Sequence, residues 1–570
     1  MAYAVVSIWG CASNTEEDGH IWGSTDNIYS AASISSSKAM VSGNGDIVIV
    51  WQEQETEVRD DTLKDAAHLF PNTSLAPHTH KHKFLYTRTN VNARRYNSSA
   101  DSWGNVKALT TGFWQKTKSG TVENADVGDE SKIVYTENID STFVGDIAVA
   151  MNATGDAVAA WVQLAEGGVT GDAGAGYNLF VYQYNSSTSS WSSPLSLTDT
   201  VVVQNALDVS LSDNNVAQLV WLGRGSNGKV NAYQNTYDGS TWSSNTQISD
   251  GNGTVRDITL VLRNQTSGVA VWTQYLDNAA STVDVCGQTN FNSTPLSLYG
   301  NWFNATGWHT TPLRFNDGAG EVNDFSLASN KNGDVWISWA QTSNVAYACQ
   351  AGLATNQYLV SDVSLISVSR FEGDIDADGL AAGTWSTAQN VQPDIEVTTL
   401  VDESALASVD SSIAVDTGGN VVVAWVEKGD AKATPSQRKD SLIRANTYSK
   451  TSGSWLMESF IVSDVAKFES SQLIEKTVPN DHIAPKVVST GLNQFTISWQ
   501  YWSVSQAASG YQVFSVDYNA ETNNSAAMKT VSDVVSPTVT QMDVFSVGDS
   551  VQMLWSQETD SGVRLLKSLK

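Results

Sequence analysis

The chain has 570 residues, 41% hydrophobic and 16% charged, with 20 Trp, 41 Gly and only 10 Pro. That length exceeds one small core, the apolar content suffices for a large one, and the low charge density excludes a coiled coil or a long disordered tail. Sixty acidic residues against 32 basic ones give −28 at pH 7, a field that repels nucleic acid, anionic lipid and polyanionic glycans.

From the amino end, Met1 to Cys11 (MAYAVVSIWGC) has neither the basic start nor the long apolar stretch of a signal peptide. If the protein is exported, this sequence is expected to be its mature form. No run reaches membrane-spanning length, so no membrane insertion is expected. Cys11, Cys286 and Cys349 form no CxxC pair and allow at most one disulfide.

One phrase then returns along the chain: a turn with Gly or Asn, followed by small or β-branched apolar residues that end in Trp. It reads NGDIVIVW to Trp51, TGDAVAAW to Trp161, NNVAQLVW to Trp221 and SGVAVW to Trp272. It continues as NGDVWISW to Trp339, GGNVVVAW to Trp425, LNQFTISW to Trp499 and VGDSVQMLW to Trp555. Such a run predicts a strand buried on both faces, entered through a hairpin turn. A strand such as DIAVAMN precedes each copy, and an alternating strand such as NLFVYQYN follows it. A polar turn with a second Trp comes next, at Trp103, Trp191, Trp242, Trp385 and Trp455.

Four antiparallel strands per unit, repeated eight times without helical periodicity, predict an all-β fold, a β-propeller. Eight blades are expected, or seven if one apolar repeat belongs to an insertion. The reading is one propeller domain over residues 1–570, with insertions at 52–83, 113–142 and 343–384 that form loops on one face or a hairpin at the rim. The carboxyl-terminal SGVRLLKSLK reads as a third strand and DGHIWGSTDNIYS as the missing fourth, so the two ends are expected to close the ring. Ala2 to Gly10 is then a surplus strand, able to pair at its own edge or with another chain.

Thr236-Tyr237-Asp238-Gly239-Ser240-Thr241-Trp242 resembles the Asp-box of sialidase-like (BNR-repeat) propellers, one residue shorter than that motif. The resemblance implies a propeller fold, with Asp238 satisfying turn amides and Trp242 plugging between blades. The arginine cluster and Arg-Ile-Pro phrase of sialidases have no counterpart here, so sialidase activity is not expected.

The strongest chemical motif is Asp374-Ile-Asp376-Ala-Asp378-Gly379, whose D-x-D-x-D-G spacing suits a calcium loop in a β-hairpin. Calcium there would stabilise a loop rather than do chemistry. His78, His80 and His82 alternate on one strand, a pattern able to hold zinc or copper. A catalytic version would pair His80 or His82 as base with Tyr86, Arg94 or Arg95. Glu53, Glu55, Asp156, Glu427 and Glu558 flank core strands and read as solvated; Trp302, Trp308, Tyr501 and Trp502 offer aromatic surfaces for sugar rings or blade packing.

No nucleophile motif stands out, and the sequence leaves open whether there is catalysis. The first expectation is an extracellular or cell-surface recognition propeller that binds glycan or protein through loops on one face. The second is a glycosidase or polysaccharide lyase with a central pocket, and the third a structural subunit assembled by terminal strand exchange.

Overall fold

The computed structural model describes residues 26–31, 34–63, 80–110, 115–122, 133–135, 144–164, 177–198, 202–276, 296–316, 321–344, 362–372, 384–391, 408–427, 441–463, 481–504, 509–532, 539–547, 550–559 and 562–569. Every regular element among them is a strand, and the strands form eight antiparallel sheets. The sheets, taken as blades 1 to 8, begin with first strands at Ile34–Val41, Val144–Met151, Val202–Leu211, Gly253–Leu262, Glu321–Ser329, Ser408–Val415, Asp481–Gly491 and Val539–Val547. Within each of the first seven sheets the strands lie side by side in chain order, while later short strands add to the outer edge. First strands of successive blades touch, and that of blade 8 returns to that of blade 1. The result is a β-propeller whose first strands line a central channel.

Blade 8 is completed from the other end of the chain. Its third strand, Gly562–Leu569, pairs with Asp26–Ala31, with Asp26 opposite Lys567 and Ala31 opposite Val563. Ile28 is buried at this seam. The closure read from TDNIYS and VRLLKSLK is therefore present, whereas Ala2 to Gly10 lies outside the described residues.

The Trp-ended runs are the second strands, and all eight of their tryptophans are buried. A second strand has a sheet neighbour on each side and a blade against each face, so both faces must be apolar. Trp425, for example, joins one cluster with Val421 and Val423 of its own strand and Trp336, Ile366 and Val368 of blade 5. The indole N–H groups of Trp161, Trp272 and Trp339 donate to the Gln side chain two residues on, each at 3.1 Å. That of Trp425 has Glu427 at the same place and finds no acceptor among the described residues.

At the rim, the aromatic pairs Tyr96–Trp103, Tyr184–Trp191, Tyr237–Trp242, Phe303–Trp308, Phe371–Trp385 and Tyr448–Trp455 recur with centroids 4.8 to 5.7 Å apart. In the turn at Asp238–Trp242, Asp238 Oδ1 accepts from the Ser240 and Thr241 amides, both at 2.8 Å, and from Ser240 Oγ at 2.7 Å. These donors, Thr241 first, hold its carboxyl down at about 2. Trp242 packs against the cluster shared by blades 2 and 3.

Blade 1 departs from the pattern. Its second and third strands, Ile47–Leu63 and His80–Asn97, run on as a long ribbon, and Gln115–Val122 and Ile133–Tyr135 widen the sheet to seven strands. The charged stretch after Trp51 is thus extended strand within the described residues. Its alternation sets Glu55 beside Arg88 at 2.7 Å and Glu53 beside Asn92 at 2.9 Å.

Candidate functional site at the central channel

Each first strand carries a charged residue near the same height: Lys38, Asp146, Asp208, Asp257, Asp324, Asp410, Lys486 and Asp543 in blades 1 to 8, with Arg256 beside Asp257 in blade 4. Their height follows from register. Lys38, Asp208, Lys486 and Asp543 lie opposite the second-strand residue just before the core tryptophan: Val50, Val220, Ser498 and Leu554. Asp146, Asp257 and Asp324 each stand one residue before the position opposite that tryptophan, and Asp410 lies in the register shift between Val409, opposite Val426, and Ser412, opposite Ala424.

Every first strand also has an irregularity in its pairing at this height. Ala206, Asp410 and Ala484 adopt positive φ there, 148°, 51° and 51°. Bulges re-aim side chains and raise local twist. Left-handed backbone at residues other than Gly is costly, so the surrounding structure must enforce it. The site lies toward the strand starts, where the first strand meets the end of the second: Glu321 is opposite Thr342. From that end the chain leaves toward the long connections, which lie outside the described residues.

Several of these side chains bind the next blade. Asp208 Oδ2 accepts from Thr259 Oγ1 at 2.7 Å and the Leu260 amide at 2.9 Å. Asp324 Oδ2 accepts from the Ser411 amide at 2.7 Å, Asp146 from the Leu207 amide at 3.5 Å, and Asp543 from the Ala39 amide. Serines do the same elsewhere: Ser326 Oγ accepts from Ile413 N at 3.3 Å and Ser412 Oγ from Val487 N at 3.0 Å. A first strand has no sheet partner on its channel side, so its inward amides need acceptors from outside the sheet.

Electrostatically the channel has two parts. Lys38, half-buried, is kept charged above the ordinary lysine range: burial opposes this, but Asp543, Asp146 and Asp208 outweigh it. Burial in turn raises all three carboxyls despite the lysine. In blades 4 to 6 burial pushes Asp324 up to about 6, with the Asp410 carboxylate adding to the rise, while its backbone bond to Ser411 and Lys486 oppose it. Asp324 and the exposed Asp257 line one cavity of about 300 Å³, together with Thr259, Thr273, Phe325 and Ser326. A carboxylic acid that retains its proton beside a solvent-facing carboxylate can donate that proton to a leaving group.

The residues singled out from the sequence fall elsewhere. On the ribbon of blade 1, the backbone of His80 is opposite Leu63, that of His82 opposite Asp61 and that of Tyr86 opposite Glu57. Arg94, on the same strand, is engaged at the seam: its guanidinium donates to the Gly104 carbonyl at 2.8 Å and to the Ile28 carbonyl, and lies 5.6 Å from the Trp103 ring. Asn301 and Asn446 make the same pair of bonds in blades 4 and 6, to His309 O and Ile248 O and to Leu456 O and Val391 O. Asp374, Asp376 and Asp378 lie outside the described residues. Among the described residues no three His, Cys, Asp or Glu side chains are grouped as a metal site.

Of the flanking carboxylates, Glu55 is held by Arg88, Asp156 by the Ser186 amide at 2.7 Å and Glu427 by Arg444 at 3.3 Å. Trp302 stacks on His309 at 4.2 Å, Trp308 pairs with Phe303, and Tyr501 is buried in the core. Sequence reasoning missed the channel residues, although Asp-Ile-Ala, Asp-Val-Ser, Asp-Ile-Thr, Asp-Phe-Ser and Asp-Val-Phe recur at the heads of the first strands.

No protein-family model matches this chain, and no curated protein matches it. Among solved structures it is similar to the polysaccharide lyase Uly1, at 9% identity and TM-score 0.43, covering 78% of this chain and 94% of the other. It is also similar to the PL25 ulvan lyase bound to -[GlcA(1-4)Rha3S]-, at 12% identity and TM-score 0.38, covering 72% and 89%. A third likeness is to the Penicillium chrysogenum alpha-L-arabinanase complexed with arabinobiose, at 9% identity and TM-score 0.31, covering 63% and 88%. Likenesses this distant leave the chemistry to the site itself.

Proposed function

We propose that the protein is a carbohydrate-active enzyme that cleaves glycosidic bonds at the channel, with Asp324 as proton donor and Asp257 as the second carboxylate. The observation that carries the reading is the shared cavity, in which a carboxyl held near 6 and a solvent-facing carboxylate sit on adjacent blades. Glycoside cleavage needs such a pair, one group protonated and the other ionised. The surplus of carboxylates around the axis and the −28 net charge favour a neutral polysaccharide over a polyuronate. Action on a polysaccharide fits an extracellular or cell-surface setting, which belongs to the same proposal.

The test is a reducing-end assay on a panel of neutral polysaccharides, with absorbance at the wavelength of unsaturated products followed in parallel. The parent should release reducing ends without unsaturation, and Asp324→Asn should lower the rate by roughly 10²-fold or more while melting no lower than the parent. Rate should fall as pH rises through about 6, where the donor loses its proton. An active parent whose Asp324→Asn and Asp257→Asn variants keep full rate would remove both residues from the mechanism. Unsaturated products would replace hydrolysis by elimination.

A further inference from the structure

Away from the channel, at the rim, a groove of about 440 Å³ runs between the fourth-strand regions of blades 2 and 3. Its floor includes Tyr237 and Trp242, the rim aromatic pair of blade 3, and its other wall carries Leu195, 47% exposed, with Ser193 and Ser196. Gln183 also lines it. No lining residue is charged, which is notable in a chain of net charge −28.

On the blade 2 wall the Ser192 hydroxyl is engaged, accepting from the Gln183 amide at 3.1 Å and donating to the Ser193 carbonyl at 2.9 Å, but other polar groups are not. The Nε2 of Gln183 is buried without a hydrogen-bond partner among the described residues, and the Ser193 and Ser196 side chains are exposed. On the blade 3 side the hydroxyls are spoken for: Ser240 Oγ donates to Asp238 at 2.7 Å and Ser243 Oγ to the Ser244 carbonyl at 3.0 Å. The groove thus offers an amide and two hydroxyls facing an aromatic and aliphatic surface, without a formal charge. Sugars present that combination in reverse, hydroxyls at the ring edge and C–H groups on the ring face, and the rings of Trp and Tyr suit the C–H face.

We propose that this groove is a neutral-oligosaccharide binding site, separate from the channel, that holds a few sugar units of a chain without cleaving it. It goes beyond the reading of the channel and does not depend on it, since binding here requires neither Asp324 nor Asp257. Uncharged hexose and pentose chains fit because no Arg or Lys in the lining could pair with a carboxylate or sulfate.

The experiment is calorimetric titration of the full chain with short gluco-, manno- and xylo-oligosaccharides, and with an oligouronate as the charged comparison. Gln183→Ala removes the unpartnered amide from a half-buried position, and Ser196→Arg fills the groove from an exposed one, so the second variant tests the site without disturbing buried side chains. At least one neutral oligosaccharide should bind in the millimolar range or tighter, and both variants should weaken it by about tenfold or more. Asp324→Asn should leave that binding unchanged. The proposal is overturned if no neutral oligosaccharide binds, if the oligouronate binds as well or better, or if Asp324→Asn weakens binding and the groove variants do not. Failure of the cleavage assay with groove binding intact would sink only the channel reading.

Discussion

Arg94 and Asn446 are chemically unlike, yet each donates to the carbonyl just beyond its own blade's rim tryptophan and to a carbonyl in the preceding blade. From the sequence Arg94 stands out as a possible partner for a histidine base at His80 or His82. Its position two residues before Tyr96, matching Asn446 before Tyr448, is the signal for the tie. Arg94→Met leaves two carbonyls at the blade 8–blade 1 seam without their donor and should lower stability by about 1–3 kcal/mol, measured by denaturant unfolding, with polysaccharide cleavage unchanged. Trp425→Ala removes a fully buried indole from the cluster shared by blades 5 and 6 and should cost about 3–5 kcal/mol. Unchanged unfolding in that variant would mean that the blade register around Trp425 is wrong.

Among the elements, the second strands were the most legible, because burial on both faces writes a continuous apolar run that no surface strand imitates. The channel-lining first strands were readable as strands but not as a site. Their pattern is half-buried, and what matters is the height of one charged residue relative to a bulge, which pairing register sets and spacing alone does not reveal. The ribbon of blade 1 shows in the sequence as extra length between core tryptophans, but a Glu-rich composition poor in strand formers does not reveal its extended pairing; cross-strand pairing of Glu55 with Arg88 accounts for that. The closing strand Asp26–Ala31 yields its own prediction. Deleting residues 1–31 uncovers the edge at Gly562–Leu569, and the shortened chain should melt lower and self-associate in light scattering. A synthetic peptide spanning residues 26–31 should partly reverse both effects; a monomeric variant that melts like the parent would count against this seam.

For the whole molecule, the channel carboxyls set an unusual dependence on pH. Burial raises Asp324 to about 6 from an ordinary 3.8, so between these values the folded chain keeps a proton that the unfolded chain has lost. Its cost to stability is absent below about 3.8, grows as pH rises, and levels off above about 6 at roughly 3 kcal/mol. Asp146, Asp208 and Asp543 are displaced in the same direction. Asp238, held at about 2, works oppositely: its contribution is full above about 3.8 and is lost as pH falls from there through about 2. The melting temperature should therefore peak near pH 4, fall as pH rises to about 6 and change little from there to neutrality. Asp324→Asn should flatten that decline; a parent most stable at pH 7 or above would contradict the assignment.

Among the described residues, the side chains that accept backbone amides between first strands all lie on the earlier blade of each pair around the ring. Asp146 reaches forward to Leu207, Asp208 to Leu260, Asp324 to Ser411, Ser412 to Val487, and Asp543 around to Ala39. During synthesis blades 3, 4, 6 and 7 thus find an amide acceptor already made by the blade before them, so those junctions are stitched in the order of translation. Only the first blade waits: its Ala39 amide and the rim beside Arg94 stay open to solvent until residues beyond 540 leave the ribosome. A nascent chain stalled short of blade 8 should accordingly resist proteolysis through its middle blades and be cut first within residues 26–41.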